Sequence, residues 1–237
     1  MITLELRGIS KSYKTVKALD SFSFKFTNGI YGILGPNGAG KSTLMNIMTR
    51  NIKSDEGSIY LDGVDANMLK DKYISRIGYM PQQQAVFDNL TLLRFMYYMA
   101  SLKGVKRVEA DEQIRDLLDR VDLWSVKNRK LGGFSGGMKQ RALIAQALLG
   151  NPDIVILDEP TAGLDPMQRV SVRNLIKDIA ADKIILVSTH VVSDIEPIAK
   201  EILVMRQGKI IADKVMEDES EEGQGIEEMY MRLFGQD

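Results

Sequence analysis

Two short runs, Ile154-Val155-Ile156-Leu157 and Ile184-Ile185-Leu186-Val187-Ser188, are almost wholly apolar and rich in β-branched residues. A strand with one face in water alternates, whereas a strand covered on both faces does not. The two runs therefore demand a sheet clothed by helices on each side, and parallel sheets meet that demand. Further candidate strands fall at residues 3–6, 21–26, 30–34, 58–61, 77–80 and 202–205. The early ones alternate more and predict an antiparallel section. Asp62-Gly63 and Gln207-Gly208 have the composition of tight turns. From about residue 89 to 126 the pattern is helical with no strand, and Leu117, Leu118, Val121 and Leu123 read as one apolar helix side. This block interrupts the α/β alternation and is read as an inserted helical subdomain, about 83–150, with Gly150-Asn151-Pro152 stopping its last helix.

Composition narrows the class. In 237 residues, 31 Lys and Arg nearly balance 32 Asp and Glu, so no global field argues for nucleic acid or anionic lipid. The absence of cysteine excludes disulfides and thiolate metal sites, and the single His190 excludes a histidine cluster. The N-terminal residues lack a signal-like basic and apolar pattern. No apolar run approaches the roughly 20 residues that cross a bilayer, and the densest, residues 90–100, contains Arg94. The expectation is a soluble domain over 1–216. Residues 217–237 follow as an acidic linker (Glu217-Asp218-Glu219-Ser220-Glu221-Glu222) and a short amphipathic helix through Ile226, Met229, Tyr230, Leu233 and Phe234, docking on the body or on a partner.

Chemistry concentrates at the ends of the apolar runs. Gly35-Pro36-Asn37-Gly38-Ala39-Gly40-Lys41-Ser42 fits G-x-x-x-x-G-K-[ST] between a strand and a helix opening at Thr43. The glycines let backbone N–H groups converge on phosphate oxygens. Lys41 brings a cation to the β- and γ-phosphates, and Ser42 offers a hydroxyl to Mg²⁺. Asp158 and Glu159 end the 154–157 run, placing one carboxylate for Mg²⁺ and one to polarise an attacking water. A lone histidine is usually structural, but His190 ends the neighbouring run and is placed to sense a γ-phosphate. Tyr13 can stack on adenine, although a bare aromatic is more often core. Ser135-Gly136-Gly137 opens a second helix, with a hydroxyl N-cap and two positions without side chains. It is a second start that favours anions.

Together these segments resemble the ATP-binding cassette (ABC) ATPase family, over about residues 2–212 and through six motifs in sequence order. The resemblance implies an α/β P-loop NTPase of the ABC type, with a mixed central sheet, an antiparallel β section and the helical insertion. It assigns Tyr13 to adenine and residues Gly35, Pro36, Asn37, Gly38, Ala39, Gly40, Lys41, Ser42 and Thr43 to the phosphates of ATP. It assigns Ser42, Gln82 and Asp158 to Mg²⁺, and Lys41, Gln82, Glu159 and His190 to catalysis. Ser135, Gly136 and Gly137 match the family signature, with Phe134 and Met138 where leucine and glutamine are commonest. Gly163-Leu164-Asp165 matches the family's D-loop, and the resemblance assigns Asp165 to nucleotide binding. The Ser-Gly-Gly-Met-Lys-Gln-Arg form resembles ATPases of ABC-2-type exporters.

The signature helix starts on the same sheet edge as Asp158 but cannot occupy the place of the Lys41 helix. In one chain it has no phosphate to meet. The family's arrangement is a head-to-tail dimer, homomeric or with a second ABC ATPase, sandwiching two ATP. The implied function is ATP hydrolysis driving export through a transmembrane permease on a separate chain, at the cytoplasmic face of the cell membrane. The Gln82 region and the aromatic block 87–99 are expected to meet that permease, with helical core the preferred reading for each of Phe95, Tyr97 and Tyr98. The alternative is a soluble non-transport ABC ATPase, such as one of iron–sulphur cluster assembly.

Overall fold

A computed structural model describes residues 1–82, 87–216 and 225–235. Among the described residues the strands are β1 Leu4–Tyr13, β2 Val16–Phe26, β3 Gly29–Leu34, β4 Glu56–Leu61, β5 Val64–Asp65, β6 Ile77–Met80, β7 Ile154–Asp158, β8 Ile184–Thr189, β9 Glu201–Arg206 and β10 Lys209–Val215. Among them lie helices α1 Lys41–Met48, α2 Ala66–Leu69, α3 Asp71–Ser75, α4 Leu92–Leu102, α5 Arg107–Arg120, α6 Gly136–Leu148, α7 Pro166–Asp178, α8 Val192–Ile195 and α9 Ile226–Phe234. The strands form a four-stranded sheet, β2-β1-β4-β5, and a six-stranded sheet, β10-β9-β3-β8-β7-β6. The first is antiparallel throughout. The second is parallel except for the β9–β10 hairpin at its edge.

The apolar runs behave as their composition requires. Every residue of β7 and β8 is buried, and successive residues feed two different cores. Val155, Leu157, Ile185 and Val187 face a core built with α4, α5, α6 and α7. Ile154, Ile156, Ile184 and Leu186 face one built with α1 and the antiparallel sheet. The six-stranded sheet thus separates α1 from α6, the two helices that follow the glycine-rich segments. Asp62-Gly63 and Gln207-Gly208 both take positive φ (51° and 80°, 49° and 78°), the two-residue hairpin geometry expected of them.

In the helical block, α4 buries Leu92, Phe95, Met96 and Ala100, and α5 buries Ala110, Ile114, Leu117 and Leu118. Two expectations need correcting here. Leu123 is buried beyond the end of α5, because Asp122 turns the chain at φ 55°. Tyr98 is exposed, stacked edge-on with Phe87 at 5.4 Å, because it lies away from the apolar face of α4. Phe95 is core and Tyr97 is half-buried, with the Arg107 guanidinium 3.7 Å over its ring.

α6 rests directly on β6. A Cβ on Gly78 would lie 2.1 Å from the Ala147 carbonyl, so only glycine allows that approach. The C-terminal end of α6 is capped from α4: Lys103 Nζ donates to the carbonyls of Gln146, Ala147 and Leu149 at 3.1, 2.8 and 2.9 Å. Burial pushes that ammonium down to about 8. Lys103→Met is expected to leave the Ala147 and Leu149 carbonyls without this donor and cost about 1–3 kcal/mol in a denaturant titration.

The acidic residues 217–222 lie outside the described residues. α9 docks on the body: Ile226 is buried, Met229, Tyr230, Leu233 and Phe234 pack against the helical core, and Arg206 Nη1 donates to the Leu233 carbonyl at 3.1 Å.

Candidate active site

The phosphate loop is set by its neighbours. β3 delivers the chain to Gly35, whose N–H donates to the Thr189 carbonyl at 3.3 Å. Gly40 caps α1 at φ 106°, where a Cβ would meet the Ala18 carbonyl at 2.4 Å. α1 therefore starts hard against β2, with its free N–H groups facing the loop. The loop residues Pro36, Asn37, Gly38, Ala39, Gly40, Lys41, Ser42 and Thr43 line one cavity of about 250 Å³ together with Tyr13, Gln82 and Glu159. Tyr13 is exposed at the hairpin between β1 and β2, with its ring available to a planar ligand. An adjoining cavity of about 570 Å³ is lined by Ser42, Asn46, Tyr79, Gln82, Gln146 and Asp158, among others.

At the cavity edge, Lys41, Asp158 and Glu159 are nearly sealed from water, at 6 %, 2 % and 5 % exposure. Burying ions this far is costly unless they are paired. Lys41 Nζ donates to the carbonyls of Gly35 and Pro36 at 2.6 and 3.2 Å and lies 3.8 Å from Glu159 Oε1. Burial holds its pKa below the usual lysine range, while Glu159 and Asp158 pull it back up. Asp158 accepts a short hydrogen bond from the Ser188 hydroxyl. That hydroxyl also accepts from the Glu159 N–H at 3.0 Å, so Ser188 fixes both acids at once. Parallel pairing of Asp158 with Ser188 across β7 and β8 puts them side by side. Tyr79 registers the same negative pocket: burial first, then Asp158, pushes its phenol up to about 12.

Glu159 follows β7 at φ 52°, an unusual backbone for a residue with a Cβ. This turn aims its carboxylate at the end of β8, where His190 Nδ1 lies 3.0 and 3.1 Å from its two oxygens. The imidazole is otherwise half in solvent, which leaves its other nitrogen open towards a ligand. A carboxylate that orients an imidazole, beside a buried ammonium and a glycine-rich loop, is equipped to hold phosphates and activate water.

Ligand fit can be judged on these residues. Among the described residues no group of three His, Cys, Asp or Glu exists that would cage a transition metal. The donor set of one carboxylate, one hydroxyl and one amide (Asp158, Ser42, Gln82) suits Mg²⁺, which keeps waters and takes phosphate oxygens as further ligands.

Four expected residues stand elsewhere. Ser135, Gly136 and Gly137 line neither cavity. Ser135 caps α6, its hydroxyl accepting from the Met138 N–H at 3.3 Å. Gly136 is exposed, while Gly137 is buried and a Cβ there would meet Gln168 of α7 at 3.0 Å. Asp165 caps α7 through the Gln168 N–H at 2.9 Å. Ser188, Tyr79 and Gln146, whose amide donates to the Tyr79 carbonyl at 2.8 Å, were not singled out by the sequence. The available signal was a hydroxyl at the end of an otherwise apolar strand. Ser188→Ala is expected to lower ATP turnover about tenfold, because Asp158 loses the donor that orients it. Steady-state kinetics with a Mg²⁺ titration would register the loss.

Comparison with known proteins agrees with this geometry. The model of the family described as ABC transporter matches residues 19–162. The chain is 32% identical to the ABC transporter ATP-binding protein NatA of Bacillus subtilis, covering 98% of this chain and 97% of that one. It is 33% identical to the daunorubicin/doxorubicin resistance ATP-binding protein DrrA of Streptomyces peucetius, over 89% of this chain and 64% of the relative. Some curated relatives are far longer: the chain spans 24% of an A-family member from Dictyostelium discoideum. Among solved structures, the dimeric post-hydrolysis cassette MJ0796 bound to ADP and Pi superposes with a TM-score of 0.80 at 26% identity, covering 90% of this chain and 98% of that one. Fold, phosphate loop and paired acids thus converge, and the chain belongs to the ABC transporter family as an ATP-binding subunit with the ABC ATPase fold, binding and hydrolysing ATP.

Proposed function

We propose that this chain is the ATPase of an exporter, working as a head-to-tail dimer against a transmembrane permease carried on a separate chain. The observation that carries the dimer is the placement of the two glycine-rich helix starts. α1 and α6 pack on opposite faces of the six-stranded sheet, and Ser135, Gly136 and Gly137 line no part of the phosphate-loop cavity. A start favouring anions but lacking an anion of its own is half of a site, and a second subunit supplies the other half.

In this reading residues 1–216 are the ATPase domain, about 83–150 its helical subdomain, and 217–237 a linker and docking helix. Tyr13 stacks on adenine, and residues 35–43 with Lys41 hold the phosphates. Ser42, Gln82 and Asp158 hold Mg²⁺, which supplies positive charge to the β- and γ-phosphate oxygens. Glu159 takes up the proton as water attacks, and His190, held by Glu159, contacts the γ-phosphate. Lys41 must exchange its two carbonyl partners for phosphate oxygens when nucleotide enters. Ser135, Gly136, Gly137 and Asp165 meet the nucleotide of the partner subunit.

Export is supported by the Ser-Gly-Gly-Met-Lys-Gln-Arg signature and by the drug-resistance relative. None of the described helices is long and apolar enough to cross a membrane. The exposed Phe87–Tyr98 pair supplies an apolar contact for the permease on the cytoplasmic face. The test is purification of the tagged chain from detergent-solubilised membranes. The reading expects one polytopic partner that stimulates ATP turnover. Recovery only with soluble assembly proteins would support the non-transport alternative instead.

A further inference from the structure

Beyond the nucleotide site, one buried carboxylate has no part in the chemistry described so far. Asp194 lies on α8, four residues after His190, and its side chain is 4 % exposed. Its Oδ2 accepts from the Thr161 hydroxyl at 2.7 Å and from Arg169 Nη1 at 3.2 Å. Arg169 in turn donates through Nε to the Leu164 carbonyl at 3.0 Å. Thr161 is two residues beyond Glu159, and Leu164 sits in the Gly163-Leu164-Asp165 turn. That turn is folded on itself by Ala162 N–H to the Glu159 carbonyl (3.1 Å) and Leu164 N–H to the Thr161 carbonyl (3.2 Å). The far end of α8 is held separately, Glu196 Oε1 accepting from the Ile226 N–H at 3.2 Å.

The consequence is mechanical. A buried carboxylate held by a cation and a hydroxyl does not let go cheaply, since either partner leaving strands a charge away from water. The segment 159–165 and the one-turn helix after His190 are therefore joined at Asp194. Displacement of the 163–165 turn must pull on α8, and α8 carries His190 towards or away from Glu159.

We propose that Asp194 is a positioning residue, with Arg169 and Thr161 its partners, that couples the 163–165 turn to the His190–Glu159 pair. This rests on the dimer reading, in which the turn carrying Asp165 meets the second subunit. Arrival of that subunit would set His190 for hydrolysis, so that each site fires only when its partner is in place. Asp194, Arg169 and Thr161 line neither cavity of the nucleotide site, so loss of the joint should act on turnover and not on ATP binding.

The experiment compares D194N, R169Q and H190A with the double variant D194N/H190A, using the full chain with ATP and Mg²⁺. D194N and R169Q are expected to lower kcat about tenfold or more while KM for ATP moves less than about threefold. Because Asp194 acts through His190, D194N should add no further loss in the H190A background. T161S, which keeps the hydroxyl, should retain turnover. Melting temperatures check folding, and R169Q removes the half-exposed partner should D194N fail to fold. A kcat within twofold of the parent in folded D194N and R169Q would overturn the proposal, as would additive losses in the double variant. The dimer reading is read out separately: E159Q remaining monomeric in ATP would remove the partner and overturn the coupling, whatever the kcat of D194N.

Discussion

Glu159→Gln is expected to remove ATP turnover by about 10²–10⁴-fold, the range a positioned general base supplies, while creating an ATP-dependent dimer. Glu159 is nearly sealed from water and directed at His190 Nδ1 by a backbone turn that most side chains avoid. An amide of the same size keeps the packing and can keep one hydrogen bond to the imidazole, but it cannot accept the proton of water. Nucleotide therefore remains intact between the subunits and continues to hold them. Size-exclusion chromatography with light scattering should show a monomer without nucleotide and a dimer with ATP. Near-normal hydrolysis would take Glu159 out of the role assigned to it.

Lys41→Met is expected to be equally inactive for a different reason. Its ammonium is buried beside two carboxylates and donates to two loop carbonyls. Removing it leaves the phosphates of ATP facing Asp158 and Glu159 without the cation that offsets them. Turnover should fall about 10²–10³-fold, and ATP should no longer dimerise the chain even when E159Q is also present. Lys41→Arg should not rescue, because a planar guanidinium cannot take the place of a compact ammonium inside the loop. Fluorescent-nucleotide binding separates the cases: E159Q should bind ATP as the parent does, and Lys41→Met should not. ATP-dependent dimerisation of the Lys41→Met/E159Q chain would contradict the assignment.

The readability of this chain followed local chemistry. β6 stands at residues 77–80 as expected, and β7 and β8 extend their apolar runs by one residue each, to Asp158 and Thr189, because apolar content alone marks a strand covered on both faces. The phosphate loop was legible because backbone geometry forces glycine at fixed intervals. β10 was missed: Lys209-Ile210-Ile211-Ala212-Asp213-Lys214-Val215 is an edge strand with charged residues, and its pairing to β9 follows from the Gln207-Gly208 turn. β5 is only two residues long and carries no pattern of its own. Within the site, Tyr13, residues 36–43, Gln82 and Glu159 line one cavity. Ser188 and Asp194 could not be read in that way. Their partners lie about thirty residues away in sequence, and a serine or aspartate alone does not announce which carboxylate or hydroxyl it will meet. Gly137 shows the converse limit, since its missing side chain also makes room for α7.

The central claim is that Ser135, Gly136 and Gly137 complete a nucleotide site on another copy of the chain. The absence of native cysteine makes a direct measurement possible. One E159Q preparation would carry Ser135→Cys and a second E159Q preparation would carry Asn37→Cys, mixed and treated with a short thiol cross-linker. The account predicts a covalent dimer that forms with ATP and is absent without nucleotide or with either preparation alone. ATP bound normally by both preparations, with no ATP-dependent cross-link between them, would contradict it.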